Sequence, residues 1–337
     1  MKKVISFCMI ICMMLLSACS GQTSGSGEDG SKKAKVMKLA VATSKDRSLT
    51  QGLYRFGEIV EKETNGSIKV EVYPDGQLGG DRVVFEGLKI GSIQGTTMST
   101  GPIASFAERF TALDLPYLFK NEEIAYEVLD GDIGKELLKD LDSQEVVGLN
   151  YWENGFRHLT NNKKEVKTLE DMKGLKVRTL ENELHVDVWK ELGANPTPMP
   201  YTELFTALEQ HVVDGQENPA GNVTTGNFYE VQKYLTKTKH IYNASVFMIS
   251  KKFWDTLSDE EKEIVTKAAE EAKNYQRELN QKESAEAFDL LKEKGMTITE
   301  LTPEEEQKFL EKVQPVYKKY SSQIGEEFVN KLLESVK

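Results

Sequence analysis

The side chains that could perform catalysis are few in this sequence, and their spacing favours neither a metal site nor a nucleophile. The four histidines are His158, His185, His211 and His240. They form no HExxH pair or similar metal-binding spacing, and no G-x-S-x-G segment is present. All three cysteines lie within the first nineteen residues, so the rest of the chain offers no thiolate nucleophile and no cysteine-based zinc site. We therefore expect neither an enzyme nor a bound cofactor.

Arg178 is the residue best suited to bind an anion. It lies near the end of the apolar segment 175–179, which indicates a short strand. A guanidinium group is planar, stays charged and can donate two parallel hydrogen bonds to one carboxylate, whereas lysine offers only a point charge. Most single arginines are exposed, so the residue type alone leaves both a binding role and a surface position open.

The elements that must position such a residue alternate along the N-terminal part of the chain. Segments 36–43 and 68–73 are short and rich in β-branched residues, which predicts strands. Segment 49–65 has apolar residues at helical spacing and is closed by Gly66. A further short helix is predicted at 82–91. Strand, helix, strand and helix in succession favour an α/β domain.

The same alternation continues through the middle of the chain. Helices are predicted at 122–141, 183–192 and 202–210, and strands at 146–152, 175–179 and 240–250.

The C-terminal third begins with a long helix. Ser258 and Glu261 form a capping box, and the helical pattern continues to about Lys294. About 35 residues is long for a globular helix. Thr302-Pro303 begins a further helical region that continues to the end of the chain. A helix of that length in a two-domain α/β protein indicates a spine across both lobes, and the ligand sites of such proteins lie in the interlobe cleft.

The N-terminus predicts export. Residues 1–18 contain a basic start, a short apolar core and small residues, which is typical of a secretory signal. The apolar run is too short to span a bilayer, which takes about 20 residues. The Leu-Ser-Ala-Cys ending predicts that Cys19 is lipidated, and 19–35 then serves as a polar tether to the membrane.

The net charge of -11, from 43 basic and 54 acidic residues, favours solubility and gives no basic stripe for nucleic acid. We expect a monomer.

Four segments carry a family resemblance: NGFRHLTN at 154–161, DMKGLKVRTLEN at 171–182, GANPTPMPYTELFTALEQHVVDGQENP at 193–219 and FYEVQKYLTKTKH at 228–240. They resemble the DctP-like solute-binding proteins of tripartite ATP-independent periplasmic (TRAP) transporters, and the likeness extends over about 36–337. The resemblance implies two α/β lobes, a cleft that closes around an organic anion, and a long helix bridging both lobes. It also implies that the membrane subunits of a TRAP transporter are partners.

The resemblance assigns three residues to the ligand. Arg178 would bind the carboxylate, Arg157 would bond a second ligand oxygen, and the amide of Asn218 would contact the ligand. The residue types by themselves leave two alternatives open. Arg157 could form a surface ion pair. Asp214-Gly215 and Asn218-Pro219 are also common turn formers.

Five further positions concern ligand type. Tyr201 matches an aromatic residue beside the ligand, with core packing as the alternative. Asp81 matches a residue that bonds ligand hydroxyls, with a helix N-cap as the alternative. Ser99 stands where the sialic-acid-binding branch has glutamate, which argues against sialic acid. Trp152 and Glu181 resemble the residues found in branches that bind sugar acids such as uronates. For Trp152, packing in the core is the simpler alternative.

The predicted protein is thus an extracytoplasmic, lipid-anchored binding protein for a small organic acid, with a hexuronate as the preferred ligand. There are two alternatives: a C4-dicarboxylate or another small carboxylate as the ligand within the same family, or a role as the binding protein of an ATP-driven importer. The predicted lobes are 36–154 with about 244–283, and 155–243 with about 284–337.

Overall fold

The computed structural model describes residues 34–337, which form a mixed α/β fold with a central sheet flanked by helices. The predicted signal segment 1–18, Cys19 and nearly all of the tether lie outside the described residues. Within the described part, no helix is long and apolar enough to cross a membrane.

Ten strands are present within residues 34–337. They are β1 (Lys35–Ala40), β2 (Ile68–Tyr73), β3 (Gly95–Ser99), β4 (Val146–Asn161), β5 (Lys176–Thr179), β6 (Asn195–Pro198), β7 (Gly215–Pro219), β8 (Tyr234–Lys237), β9 (Tyr242–Ser250) and β10 (Thr297–Glu300).

Thirteen α-helices accompany them in the same residues. They are α1 (Ser48–Glu63), α2 (Asp81–Ile90), α3 (Thr100–Ile103), α4 (Glu122–Asp130), α5 (Asp132–Asp140), α6 (Glu183–Glu191), α7 (Tyr201–Glu209), α8 (Ala220–Thr225), α9 (Lys251–Trp254), α10 (Asp259–Glu293), α11 (Pro303–Lys312), α12 (Gln314–Ile324) and α13 (Glu326–Ser335). Short 3-10 helices lie at Glu108–Asp114, Leu141–Gln144, Leu169–Met172 and Phe228–Glu230.

Strand β4 joins two groups of strands. The order across the sheet is β2-β1-β3-β9-β4-β7-β5-β6, with β8 and β10 beside the far end of β4. The first part of β4 pairs with β9, and its last residues pair with β7 and β8. A bulge lies between Glu153 and Gly155, where Gly155 has a φ of 110° that favours glycine. We call the part around β1, β2, β3 and β9 the first half and the part around β5, β6, β7, β8 and β10 the second half. The chain passes from the first half to the second within β4.

Helix α10 bridges both halves, as predicted. Ser258 and Glu261 form the expected capping box at its start. Its first half buries Ala268 and Ala272 in the core that contains β1 and α1, and its last turns bury Leu291 in the core around α7 and α8. The helix must reach two separate cores, which explains why its 35 residues exceed the usual length of a helix in a globular protein.

Several element boundaries differ from the sequence predictions. The helix predicted at 122–141 is two helices, because Gly131 adopts an extended conformation between Asp130 and Asp132. The strand predicted at 146–152 continues to Asn161. The DGQENP segment, whose Asp-Gly and Asn-Pro pairs favour turns, instead contains the fully buried strand β7, because strands on both sides provide its hydrogen bonds.

Candidate functional site

A narrow cavity of about 30 Å³ lies where several strands end, and we call it the central cavity. The parallel pairs β1/β3 and β5/β7 each end at this point, and the carboxyl ends of strands are the usual location of ligands in α/β proteins. Its polar lining is Thr43, Asp81, Thr97, Ser99, Asn154, Tyr201, Asn218 and Asn222. Four of the predicted ligand residues, Asp81, Ser99, Tyr201 and Asn218, are therefore brought together here.

The central cavity adjoins a wider groove. This groove has a volume of about 380 Å³ and shares Ala42 and Tyr201 with the cavity. Since one water needs roughly 10–15 Å³, the central cavity of about 30 Å³ holds only about two or three waters in this conformation. A six-carbon acid requires the walls of the cavity to move apart.

Arg178 is almost fully buried and does not itself line the central cavity, but it interacts electrostatically with Asp81 and Tyr201, which do. Its Nε and Nη2 atoms donate to the carbonyl oxygen of Met199 at 2.9 and 2.6 Å. Its Nη1 atom is buried and has no hydrogen-bond partner among the described residues. Burial lowers the pKa of Arg178 to about 10, so the guanidinium stays charged at neutral pH. A buried donor on a charged group without an acceptor is costly, which indicates a place for a ligand oxygen.

Arg157 is also fully buried, but each of its three nitrogens has a partner within the protein. Nε and Nη2 bind the two carboxylate oxygens of Glu217 at 2.5 and 2.9 Å, and Nη1 donates to Asn243 at 3.0 Å. His240 completes the cluster, since its Nε2 atom lies 3.1 Å from Glu217 Oε2. The surface ion pair considered above is wrong, because Arg157 and Glu217 are both fully buried.

Glu217 is held as a carboxylate by this cluster. Burial alone would raise its pKa, but the charge of Arg157 and the hydrogen bonds from His240 and Arg157 outweigh burial. The pKa of Glu217 is therefore well below its usual range, and Arg157 retains a charged partner.

Asn218 lies on β7, between the strands of the two arginines. Its Oδ1 atom accepts hydrogen bonds from Arg157 Nη2 at 3.2 Å and from Asn222 Nδ2 at 3.0 Å, and its Nδ2 atom donates to Gln216. The amide is thus fixed in orientation from several sides. The turn considered for this residue is not observed, because β7 is extended.

Asp81 and Tyr201 each begin a helix at the cavity. Asp81 is the first residue of α2, and the N-cap position belongs to Gly80, so the N-cap alternative is wrong. Burial raises the pKa of Asp81 to about 6; the charge of Arg178 opposes this and Glu181 adds to it. Tyr201 is the first residue of α7, and burial raises its pKa to about 12, so its hydroxyl stays protonated. Its ring also packs edge-on to Phe228, so Tyr201 both lines the cavity and joins the core.

Ser99 lies at the end of β3 within a chain of amides. Its hydroxyl donates to Asn243 Oδ1 at 2.9 Å and accepts from Asn154 Nδ2 at 3.2 Å. Asn154 Nδ2 also donates to Asn243 Oδ1 at 2.9 Å.

Trp152 and Glu181 do not line the central cavity. Trp152 is fully buried beside Phe247, with its Nε1 atom donating to Asn150 at 3.0 Å, so it is a core residue. Glu181 lines a separate open groove with Arg82 and Lys190. Glu181 nevertheless affects the cavity electrostatically, because its charge raises the pKa of Asp81.

Sequence reasoning missed three residues at the site, Arg47, Asn154 and Asn222. Arg47 precedes α1, is fully buried, and donates to both asparagines. Nothing in the charged segment Lys45-Asp46-Arg47 distinguished this arginine from a surface residue. Asn154 lay within a segment already singled out, NGFRHLTN, but its amide was not assigned a role.

Known proteins share this architecture and much of this sequence. The family model for bacterial extracellular solute-binding protein, family 7 (DctP) matches residues 39–323. The 2,3-diketo-L-gulonate-binding periplasmic protein YiaO of Escherichia coli (strain K12) is 35% identical over 265 residues, covering 79% of this chain and 81% of that protein. The C4-dicarboxylate-binding protein DctB of Bacillus subtilis (strain 168) is 32% identical over 311 residues, covering 91% of this chain and 88% of that protein.

A solved structure agrees closely in three dimensions. The sugar acid binding protein DctPAm from Advenella mimigardefordensis strain DPN7T, in complex with galactonate, superposes with a TM-score of 0.89. Its sequence is 42% identical, and the match covers 90% of this chain and 98% of that chain. The family match over most of the chain, together with this structural agreement, shows that the protein belongs to the DctP family of extracytoplasmic solute-binding proteins of TRAP transporters.

Proposed function

We propose that this protein captures a small sugar acid, with one carboxylate and several hydroxyls, and that Arg178 binds the carboxylate. One observation carries the proposal. Arg178 is a charged, buried side chain beside the central cavity, and its Nη1 atom lacks a hydrogen-bond acceptor among residues 34–337. A ligand carboxylate would supply both the missing acceptor and the missing negative charge.

The distribution of charge favours a single carboxylate. Arg157 is matched by Glu217, and Arg47 is matched by Glu283. Within the described residues Arg178 forms no ion pair. Asp81 adds a negative charge to the cavity wall at neutral pH and would repel a second ligand carboxylate.

The remaining polar lining suits hydroxyl groups. It consists of hydroxyls and neutral amides, which both donate and accept hydrogen bonds as a sugar hydroxyl does. The Oγ1 atom of Thr97 is buried and, among residues 34–337, has no partner. Asp81 as a carboxylate would accept hydrogen bonds from hydroxyls. A C4-dicarboxylate, the ligand named for the Bacillus subtilis relative, would use few of these groups and remains the second candidate.

The relatives' ligands point in the same direction. DctPAm binds galactonate and YiaO is named for 2,3-diketo-L-gulonate, and both ligands are sugar acids with one carboxylate. A hexuronate also fits this description. Because the cavity is narrow, we propose that the halves open to admit the ligand and close around it, with the lobe boundaries predicted from the sequence.

Anchoring is proposed from the sequence. Cys19 would carry the lipid, 19–35 would be the tether, and the monomer would deliver its ligand to the membrane subunits of a TRAP transporter. Mass spectrometry of the protein extracted from its host membrane should find an N-terminal acylated Cys19. An unmodified N-terminus upstream of Cys19 would refute the anchor.

Thermal unfolding of the purified protein tests the ligand class. The panel is galactonate, gluconate, galacturonate, glucuronate, succinate and malate. A ligand at 100 times its Kd should stabilise the fold by about 2.7 kcal/mol. Shifts with sugar acids and none with the two dicarboxylates are expected. Shifts confined to succinate or malate would overturn the sugar-acid proposal and leave the family assignment intact.

A further inference from the structure

Arg47 lies behind the central cavity and contacts two of its wall residues without lining the cavity itself. We propose that Arg47 is a positioning residue that holds the amides of Asn154 and Asn222 in the orientation a ligand must meet. This inference deepens the proposed function and rests on it for the identity of the site.

The contacts of Arg47 connect distant parts of the chain. Its Nη2 atom donates to the carbonyl oxygen of Asn154 at 2.8 Å and to the Oδ1 atom at 3.1 Å. Its Nε atom donates to Asn222 Oδ1 at 2.6 Å. Asn154 lies on β4 beside the bulge and Asn222 lies on α8, so one guanidinium group determines the spacing of two walls of the cavity.

Arg47 is itself fixed from the opposite side. Its Nη1 atom donates to Ser48 at 2.6 Å and to Asn280 at 2.7 Å, and it also binds Glu283. Arginine has five donor hydrogens, and these partners together with the two asparagines use them all. No donor remains for a ligand, so Arg47 can affect binding only through its neighbours.

The charge of Arg47 decides which end of each amide faces it. The oxygen of Asn222 points to the guanidinium, so its nitrogen is directed to Asn218 Oδ1, at 3.0 Å. The oxygen of Asn154 likewise points to Arg47, so its nitrogen donates to Ser99 and Asn243. Reversing either amide would place its NH₂ group against a buried cation. Arg47 thus determines the pattern of donors and acceptors on the cavity wall.

The backbone of α8 is adapted to this contact. A Cβ atom at Gly221 would lie 3.0 Å from Arg47 Cζ, closer than ordinary packing allows. Gly221 therefore lets the start of α8 approach the guanidinium group, and Gly221→Ala offers a second, milder way to disturb the contact.

The test compares Arg47→Lys with Arg55→Lys in the full chain. Arg55 lies on the helix that Arg47 precedes, but it is exposed and forms ion pairs with Glu58 and Glu271 on the surface. Titration calorimetry with galactonate should show a Kd about tenfold or more higher for Arg47→Lys, because lysine cannot span both asparagines. Arg55→Lys should stay within about twofold of the parent, and Gly221→Ala should fall between the two. If the parent binds succinate and not galactonate, the proposed function fails, and succinate replaces galactonate as the probe for Arg47.

A double-mutant cycle separates positioning from a general loss of stability. If Arg47 acts through Asn222, then Arg47→Lys combined with Asn222→Ala should cost less affinity than the sum of the single changes. Additive effects would overturn the positioning role. Equal affinity of Arg47→Lys and the parent, measured where both are folded, would also overturn it.

Hydrogen exchange provides a readout that needs no ligand. Amides of 220–226 should exchange faster in Arg47→Lys than in Arg55→Lys, because α8 loses its contact with the guanidinium. Unchanged exchange in that segment would refute the inference whatever the protein binds.

Discussion

Arg157 and Arg178 are two buried arginines on strands separated only by β7, yet they differ in whether a carboxylate of the protein contacts the guanidinium group. Arg157 has a carboxylate of the protein, Glu217, on its guanidinium group. Arg178 has only a carbonyl oxygen, that of Met199, and its Nη1 atom lacks a partner among the described residues. The comparison teaches that a buried charge matched within the protein supports the fold, whereas one left unmatched beside a cavity is available for a ligand.

The largest expected effect is a loss of folding stability when the pair of Arg157 and Glu217 is broken. Glu217→Gln removes the negative charge and leaves Arg157 buried without a charged partner, which typically costs about 3–5 kcal/mol of folding stability. Urea unfolding, compared with the parent, measures this cost. The same change at exposed Glu263, paired with Lys267, is the control and should cost less than about 1 kcal/mol. A Glu217→Gln variant as stable as the parent would show that the Arg157 cluster does not support the fold.

The second largest effect is a loss of ligand affinity when Arg178 is replaced. Arg178→Lys should raise the Kd for galactonate by about 30- to 150-fold, since a charge-assisted hydrogen bond is worth roughly 2–3 kcal/mol. Its folding stability should change much less than that of Glu217→Gln. Calorimetry and urea unfolding on the same samples give both numbers. Unchanged affinity would remove Arg178 from the site.

A third prediction uses the pH dependence of stability. The folded protein raises the pKa of Asp81 to about 6, so it retains a proton that the unfolded chain releases at lower pH. This contribution is present at acid pH and is lost as pH rises from about 4 to about 6. The unfolding free energy of Asp81→Asn relative to the parent should therefore increase across that window. A constant difference would show that Asp81 titrates normally.

The smallest effects come from two buried threonines. Thr97 Oγ1 has no partner among residues 34–337, whereas Thr160 Oγ1 bonds Gln216 and Gln232, both at 2.8 Å. Thr97→Val should leave stability unchanged or slightly higher and weaken galactonate binding by a few-fold. Thr160→Val should cost about 1 kcal/mol of stability and leave affinity unchanged. The reverse result would contradict the distinction between matched and unmatched groups.

Local patterns predicted the alternation of elements and the long helix α10, because capping residues and hydrophobic spacing are properties of adjacent residues. Strand β7 was missed because its Asp-Gly and Asn-Pro pairs favour turns, and only neighbouring strands distant in sequence make it extended. The resemblance gave Asp81, Ser99, Tyr201 and Asn218, all of which line the cavity. Arg47 could not be predicted, because its burial depends on contacts with α8, β4 and α10.

The pairing of β3 with β9 has a consequence for the order of folding. The N-terminal strands β1, β2 and β3 are complete in the chain by Ser99, but β3 gains its second neighbour only when Tyr242–Ser250 is available. Such distant pairing delays assembly, because a long loop must close before the contacts form. We therefore expect the sheet that contains β1, β2 and β3 to remain incomplete until most of the chain has been synthesised. Delayed folding keeps a polypeptide able to cross a membrane, which agrees with membership of an extracytoplasmic family.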